Sequence, residues 1–137
     1  LYGLQQALRD VMWDRVGLVR DGQGLREALG VIDRVDAGLA DVGVPGGASF
    51  NLAWHDWLNL TSQVTVARLI AMSAAERRES RGAHHRGDYP ATDPGAPYVV
   101  RVRRDGPMPT VWREPVALTR MQPSDTPAPA AARGGSA

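Results

Sequence analysis

The segment GLREALGVIDRVDAGLADV, residues 24–42, has the most regular apolar pattern in the chain. Its apolar positions recur at alternating intervals of three and four, at Leu25, Ala28, Ile32, Val35, Leu39 and Val42. This period places side chains along one side of an α-helix, and a seam of this length is typical of a helix in a bundle. We therefore predict a long helix here that packs against other helices of the chain.

The residues before this segment show the same period. From Tyr2 to about Val16 the apolar residues again fall three and four positions apart, which predicts a first helix. Gly17 is suited to end that helix as a C-terminal cap. Asp21 is suited to begin the second helix, because its carboxylate can accept hydrogen bonds from the free backbone N–H groups of the first turn.

A third and longer helix is predicted after the glycine-rich loop GVPGGASFN, residues 43–51. We expect this helix to run from about Leu52 to Ser80, with Asn51 as its N-cap and Gly82 as its stop. Small residues late in its seam permit close approach of a neighbouring helix. The seam consists of Trp57, Leu60, Val64, Ala67, Ala71 and Ala74.

The last third of the chain has a different pattern. YVVRVRRDGPMPTVWREPVALTR, residues 98–120, alternates apolar and polar positions around the turn signal Asp105-Gly106-Pro107, as a β-hairpin does. Residues 122–137 form a low-complexity tail that we expect to be disordered. The predicted fold is mainly α: an antiparallel, spectrin-repeat-like three-helix bundle over about residues 2–82 and a small hairpin extension over about 97–120, within one domain of residues 1–121.

Composition excludes several function classes. The chain of 137 residues has 16 basic residues, all of them arginine, and 15 acidic residues, so its net charge of +1 implies no nucleic-acid partner. With no cysteine it has no disulfides, thiolate catalysis or cysteine-ligated metal. Its apolar runs are too short to span a bilayer and its N-terminus resembles no signal peptide, which predicts a soluble chain without direct membrane insertion.

One stretch, ESRGAHHRGDYP at residues 79–90, has the composition of an active site or metal site. Adjacent histidines in a strand-like segment point to opposite sides. His84, His85, Asp88 and the distant His55 are therefore poorly placed to bind one ion together, and no His-Glu-x-x-His spacing is present. A structural role, in which these histidines hydrogen-bond a neighbouring surface, is favoured.

Two catalytic alternatives for the same stretch are weaker. Ser80, His84 and Asp88 could be drawn as a nucleophilic triad, but the sequence lacks the strained turn that exposes a nucleophile. Glu76 and Glu79 lie three positions apart on the predicted helix among arginines, where ion pairing is the simpler explanation. We therefore assign no catalytic, cofactor-binding or metal-binding residue to the chain.

The arginines of this region, Arg77, Arg78, Arg81 and Arg86, have two open interpretations. In one, their positive charge is stabilised by the negative, C-terminal end of the third helix dipole. Alternatively, Arg81 and Arg86 make bidentate bonds to carboxylates or carbonyls of a partner domain. The candidate residues for such a domain interface are Arg81, His84, His85, Arg86, Asp88 and Tyr89.

Two sequence signatures support a family resemblance. Met12-Trp13 with Val16-Gly17-Leu18-Val19-Arg20, followed at the proper separation by residues 79–90, resembles the C-terminal domain of the succinate dehydrogenase and fumarate reductase flavoprotein family, which L-aspartate oxidase shares. The resemblance extends from Leu4 to about Pro123. Gly87 departs from the family pattern, in which Glu is common.

The resemblance implies a structural role within a larger flavoprotein. The family's FAD and its redox chemistry belong to an N-terminal part with a GxGxxG motif, and these 137 residues have no such motif after a strand. We thus expect no cofactor in this piece, FAD in the parent oxidoreductase, and an inactive isolated chain. The implied partners are the chain's own FAD domain and an iron–sulfur subunit, with a cytoplasmic location and membrane association through partner subunits. A free-standing helical interaction module and an L-aspartate oxidase domain remain alternatives.

Overall fold

Three helices and two small sheets make up the residues that the computed structural model describes, which are 1–47, 49–95, 97–106 and 108–120. None of these helices combines the length and the apolar character needed to cross a bilayer. The elements are α1 (Tyr2–Val16), β1 (Val19–Arg20), α2 (Gly22–Asp41), α3 (Leu52–Glu76), β2 (His85–Arg86), β3 (Tyr98–Asp105) and β4 (Met108–Pro115).

The helices run up, down and up. Trp57, early in α3, donates its indole N–H to the carbonyl of Leu39, late in α2, at 3.3 Å. The phenol of Tyr2 at the start of α1 donates to Asp56 Oδ2 near the start of α3 at 3.0 Å. Neighbours in sequence are therefore antiparallel, and the predicted three helices with a small β part are confirmed. The closer likeness to a spectrin repeat stays a prediction.

The core lies along the predicted seam of α2. Its buried side chains are Leu25, Ala28, Ile32, Val35 and Leu39, and they face buried Leu60, Val64, Ala67, Ala71 and Ala74 of α3 and Leu8, Val11 and Val16 of α1. The last three buried positions of α3 are alanines, which let α2 and α3 approach closely at that end. Burial of this apolar stripe, rather than local propensity, stabilises the bundle.

The predicted N-caps are confirmed. Asp21 Oδ1 accepts a hydrogen bond from Gly24 N at 2.7 Å, and Asn51 Oδ1 accepts one from Ala53 N at 3.0 Å. Gly17 does follow α1, but its φ of −68° is not the left-handed conformation of a glycine C-cap. Glycine is required at position 17 because the backbone passes close to the preceding turn: a Cβ there would lie 2.5 Å from the Trp13 carbonyl oxygen.

The predicted end of the third helix is wrong. The helix ends at Glu76, not at Ser80, and the helical bundle therefore stops before residue 82. Glu79 and Ser80 leave the helix because their side chains are buried and bond the following segment. Gly82, with a φ of +57°, is not a helix cap but lies in a tight turn whose flanking residues, Arg81 and His84, exchange backbone hydrogen bonds of 2.9 and 3.1 Å.

The predicted hairpin is confirmed. Strands β3 and β4 pair antiparallel in register from Tyr98 opposite Pro115 to Asp105 opposite Met108. Gly106, with a φ of +73°, supplies the left-handed conformation in the connecting turn. The predicted disordered tail, residues 122–137, lies outside the described residues.

We expect Leu60→Ala to lower the free energy of unfolding of the chain by about 2–5 kcal/mol, because a fully buried leucine leaves a cavity in the seam. Leu58→Ala, on the same helix but half exposed, is the matched control and should cost about 0.5 kcal/mol or less. Urea unfolding followed by circular dichroism measures both. Equal losses would contradict the assignment of the core.

Candidate domain interface

Two segments far apart in the sequence meet at the end of α3. Val19 pairs with His85 and Arg20 with Arg86 in a short parallel sheet, and Gly87 N donates to the Arg20 carbonyl at 2.7 Å. These segments belong to the two sequence signatures described above. Sequence analysis did not predict their pairing, because a strand of two residues is too short to show a period.

Arg86 closes the C-terminal end of α3 from inside the domain. Its side chain is almost fully buried, and Nη1 donates to the carbonyls of Ala74, Arg77 and Ala75 at 2.9, 3.1 and 3.3 Å. Its Nε and Nη2 each donate to one carboxylate oxygen of Asp88, both at 2.8 Å. The last carbonyls of a helix have no partner within it, so this guanidinium satisfies them and complements the helix dipole. The bidentate bonds predicted for Arg86 are thus made within the chain.

Asp88 links Arg86 to the start of α2. Its Oδ2 also accepts a hydrogen bond from Gly22 N, the first residue of α2, at 2.9 Å. The hydrogen bonds from Arg86 hold the pKa of Asp88 at about 2, against an opposing effect of burial and with further help from Gly22 N. One carboxylate thereby connects the N-terminal end of α2, where negative charge is favoured, to the cap of α3.

Glu79 forms a second buried ion-pair network. Its carboxylate is 1% exposed and accepts hydrogen bonds from the Arg77 guanidinium, from Arg81 Nε at 3.0 Å and from Asp93 N at 3.0 Å. Burial alone would raise the pKa of Glu79, but these hydrogen bonds outweigh it and lower the pKa. Arg77 also donates to the Tyr98 carbonyl at 2.9 Å and lies over the Tyr98 ring, so the network fastens the hairpin to the bundle.

Ser80 has a structural role in the same segment. Its hydroxyl donates to the Tyr89 carbonyl at 2.8 Å and accepts from Arg86 N at 2.9 Å. Among the described residues no hydrogen bond joins Ser80 to His84, or His84 to Asp88, so the three do not form the relay that a nucleophilic triad needs.

The two adjacent histidines differ in their surroundings. His84 is half-buried, and its Nδ1 lies 2.9 Å from Arg20 Nη1. Because arginine can only donate, Nδ1 is the acceptor and the proton of neutral His84 is on Nε2, which faces the Arg77 carbonyl at 3.4 Å. Burial, then repulsion by Arg20 and the other nearby arginines, lowers the pKa of His84 despite the Arg77 carbonyl. His85 is exposed, and no cluster of metal-binding side chains occurs in the described ranges.

The six interface candidates separate by exposure. Arg86 is buried and His84 half-buried, whereas Arg81, His85, Asp88 and Tyr89 are exposed. A role for these residues in contacts with another domain stays a prediction. The predicted ion pairing of Glu79 with arginines is correct, but the burial of Glu79 was not predicted. The roles of Arg20 and Asp93 were not predicted either, because their partners lie far from them in the sequence.

Comparison with known proteins gives consistent results. The family described as fumarate reductase flavoprotein C-term matches residues 5–128. An L-aspartate oxidase of Rhodospirillum rubrum is 46% identical over 87 residues, which are 64% of this chain and 26% of that protein. An uncharacterized FAD-dependent oxidoreductase of Methanocaldococcus jannaschii is 40% identical over 92 residues, 67% of this chain and 16% of that protein.

Longer matches include the hairpin. A fumarate reductase flavoprotein subunit of Helicobacter pylori is 29% identical over 128 residues, 89% of this chain and 18% of that protein. The solved structure of Mycobacterium smegmatis Sdh1 in complex with UQ1 superposes with a TM-score of 0.74 at 32% identity and covers 89% of this chain and 21% of that one. The chain thus spans about a quarter or less of the length of these relatives.

We expect Arg86→Ala to lower the free energy of unfolding by about 3–5 kcal/mol, because it leaves helix carbonyls without a donor and Asp88 without its arginine partner. Arg81→Ala is the matched control and should cost clearly less, since the Arg81 side chain is 42% exposed. Urea unfolding of both variants tests the difference. If Arg86→Ala lowered the free energy of unfolding less than Arg81→Ala, Arg86 would not be the more stabilising of the two arginines.

We expect acid to weaken the domain through Asp88. Its folded pKa of about 2 lies below its ordinary value, so the stabilisation is complete above about pH 4 and is lost as the pH falls from about 4 to 2. In Asp88→Asn this part of the pH dependence should disappear. Asp14→Asn, which changes an exposed carboxylate without a hydrogen bond among the described residues, should keep it. Thermal melts between about pH 4 and 2 measure this loss of stability. The prediction is refuted if the pH dependence disappears equally in both variants.

Proposed function

Because the chain belongs to the fumarate reductase flavoprotein C-terminal family, we propose that it is the C-terminal structural domain of an FAD-dependent oxidoreductase of the succinate dehydrogenase and fumarate reductase type. The observation that carries this proposal is the superposition on Sdh1 over 89% of the chain at 32% identity. In the parent, FAD would supply the two-electron chemistry. The present residues would brace the part that binds it.

The starts of α2 and α3 do not fit the pyrophosphate group of FAD. Pyrophosphate groups of dinucleotides commonly bind at a free helix N-terminus. Here Asp21 caps the start of α2, the Asp88 carboxylate lies 2.9 Å from Gly22 N, and Asn51 caps the start of α3. The two carboxylates would repel a phosphate. Among the described residues, every buried side-chain nitrogen or oxygen has a hydrogen-bond partner within the domain, so no buried polar side chain awaits a ligand.

A bracing role agrees with the way the polar groups are used. Arg86, Asp88 and Glu79 bond the domain's own helices and hairpin, which fixes the segment after α3 in one conformation. A rigid domain can hold a neighbouring domain in position through its surface. We propose the FAD-containing part of the same polypeptide as the first partner and an iron–sulfur subunit as the second, with a cytoplasmic location and membrane association through partner subunits.

L-aspartate oxidase is the second candidate for the parent, and the identity of 46% to the Rhodospirillum rubrum enzyme favours it. That match covers 64% of the chain, whereas the fumarate reductase subunit and Sdh1 each cover 89%. The longer matches must include part of the hairpin. We therefore rank the succinate and fumarate chemistry first.

We expect the natural gene product that contains these residues to purify with about one flavin per polypeptide and to oxidise succinate with a dye acceptor or reduce fumarate with a reduced dye. The 137-residue chain alone should bind no flavin and show neither activity. Absorbance spectra and steady-state assays with succinate, fumarate and L-aspartate test this. Turnover of L-aspartate alone would select the second candidate, and a gene product that holds no flavin would refute both.

A further inference from the structure

One side of the bundle, between α1 and α3, leaves apolar side chains open to solvent. Val66 and Ile70 of α3 are 53% and 44% exposed. They line two adjoining depressions of about 500 and 560 Å³, the first reaching Met12 of α1 and the second reaching Val99 of the hairpin. These two depressions, which run from Met12 of α1 past Val66 and Ile70 to Val99, are together called the α1–α3 groove below. Polar side chains such as Gln63 and Ser73 also line these depressions, but most of their exposed area is apolar. A largely apolar surface of this kind is typical of a site that another protein surface covers.

Arg20 lies where the groove meets a second exposed apolar surface. It lines the depression that contains Val66 and Ile70, and it also lines a neighbouring one with Trp13 and Leu18, whose side chains are 82% and 81% exposed. The guanidinium therefore lies between two largely apolar depressions, although Asp14, Ser73, Arg77 and His84 also line them. A charge in such surroundings is costly unless it has a partner.

The charge of Arg20 is not neutralised within the described residues. Four arginines there are buried or half-buried, and three of them, Arg68, Arg77 and Arg86, pair with carboxylates. Arg20 instead donates Nε to the Gly17 carbonyl at 2.7 Å and Nη1 to His84 Nδ1 at 2.9 Å. These bonds fix the guanidinium in place. They involve Nε and Nη1, and Nη2 has no acceptor among the described side chains.

The surroundings of Arg20 disfavour its own charge. Burial, followed by repulsion from Arg86, lowers the pKa of Arg20. The neighbouring His84 does not compensate the positive charge of Arg20, because its ring is neutral and only accepts a hydrogen bond from Arg20. A carboxylate brought to Nη2 by a partner would offset both effects, and a fixed guanidinium loses little side-chain entropy when it binds one.

We propose that the α1–α3 groove and Arg20 form the docking surface for the FAD-containing, N-terminal part of the same polypeptide, which binds Arg20 through an aspartate or glutamate set among apolar residues. This inference rests on the proposed function. The matched family is a flavoprotein C-terminal region, and the chain covers only 16–26% of the flavoprotein relatives. Most of such a polypeptide precedes the bundle, and a covalently linked surface is present at high effective concentration.

Cysteine accessibility in the natural gene product, expressed without other subunits, tests the surface. The chain contains no cysteine, so Val66→Cys introduces one thiol into the groove, and Ala37→Cys, on the exposed side of α2, is the matched control. We expect the Val66→Cys thiol to react with a maleimide about tenfold or more slowly than the control, as a covered site does, and both to react alike in denaturant. Peptide mass spectrometry assigns the labelled position.

Charge reversal tests the role of Arg20 in the same protein. Arg20→Glu should speed the labelling of Val66→Cys by about tenfold, because it places a negative charge opposite the partner's carboxylate, whereas Arg20→Lys should change it little. Arg34→Glu, on the exposed side of α2, should have no effect. Thermal melts of each variant separate loss of docking from loss of folding. Ile70→Asp, a change at another exposed residue of the groove, can be combined with Val66→Cys and should likewise speed its labelling.

The flavin spectrum of the same preparation distinguishes failure of the docking surface from failure of the proposed function. If the protein holds flavin and turns over its substrate while Val66→Cys reacts as fast as Ala37→Cys, the docking surface is wrong and the proposed function stands. Protection that disappears when the protein is diluted would assign the groove to a second copy, and protection that requires an added iron–sulfur subunit would assign it to that partner. Either result overturns the proposal.

Discussion

The hydrogen bonds from the Arg86 guanidinium are the interaction on which the rest of the domain depends. One planar group satisfies three carbonyls at the C-terminal end of α3 and both oxygens of Asp88. Asp88 in turn accepts from the first residue of α2. The bundle therefore has two sources of stability: an apolar seam along its length and a charged connection at one end. Burial of Arg86 in that connection is possible because each nitrogen of its guanidinium has an acceptor.

The repeating features of the fold could be predicted from the sequence. The seam of α2, the caps Asp21 and Asn51 and the turn at Gly106 all follow from local spacing or from residue chemistry, and the structure contains each of them. The end of α3 could not be predicted in the same way. Arginine and glutamate are good helix formers, so local propensity extends the helix past Glu76. The burial of Glu79, which depends on its bond to Asp93 N and on Arg77, itself bonded to the hairpin, decides otherwise.

The candidate site shows the same division. A structural role for residues 79–90 was predicted because no spacing among them supports catalysis or metal binding, and that role stays a prediction. Which partners these residues have could not be predicted, since Arg20, Gly22 and Tyr98 all lie far away in sequence. A dense group of histidines, arginines and carboxylates is thus compatible with a purely architectural role. The distinction from an active site lies in hydrogen-bond saturation: here the charges bond one another and the backbone.

The parallel pairing of β1 with β2 also constrains the order in which the domain can fold. Gly22 and Asp88 are 66 positions apart, and the intervening chain contains α2 and α3. Bringing such distant residues together carries a loop-closure entropy that the packed helices must already have reduced. We therefore expect the helical hairpin of α2 and α3 to form before the charged connection does. The segment around Arg86 follows all three helices in the sequence, so during synthesis it becomes available only after the helices that it joins.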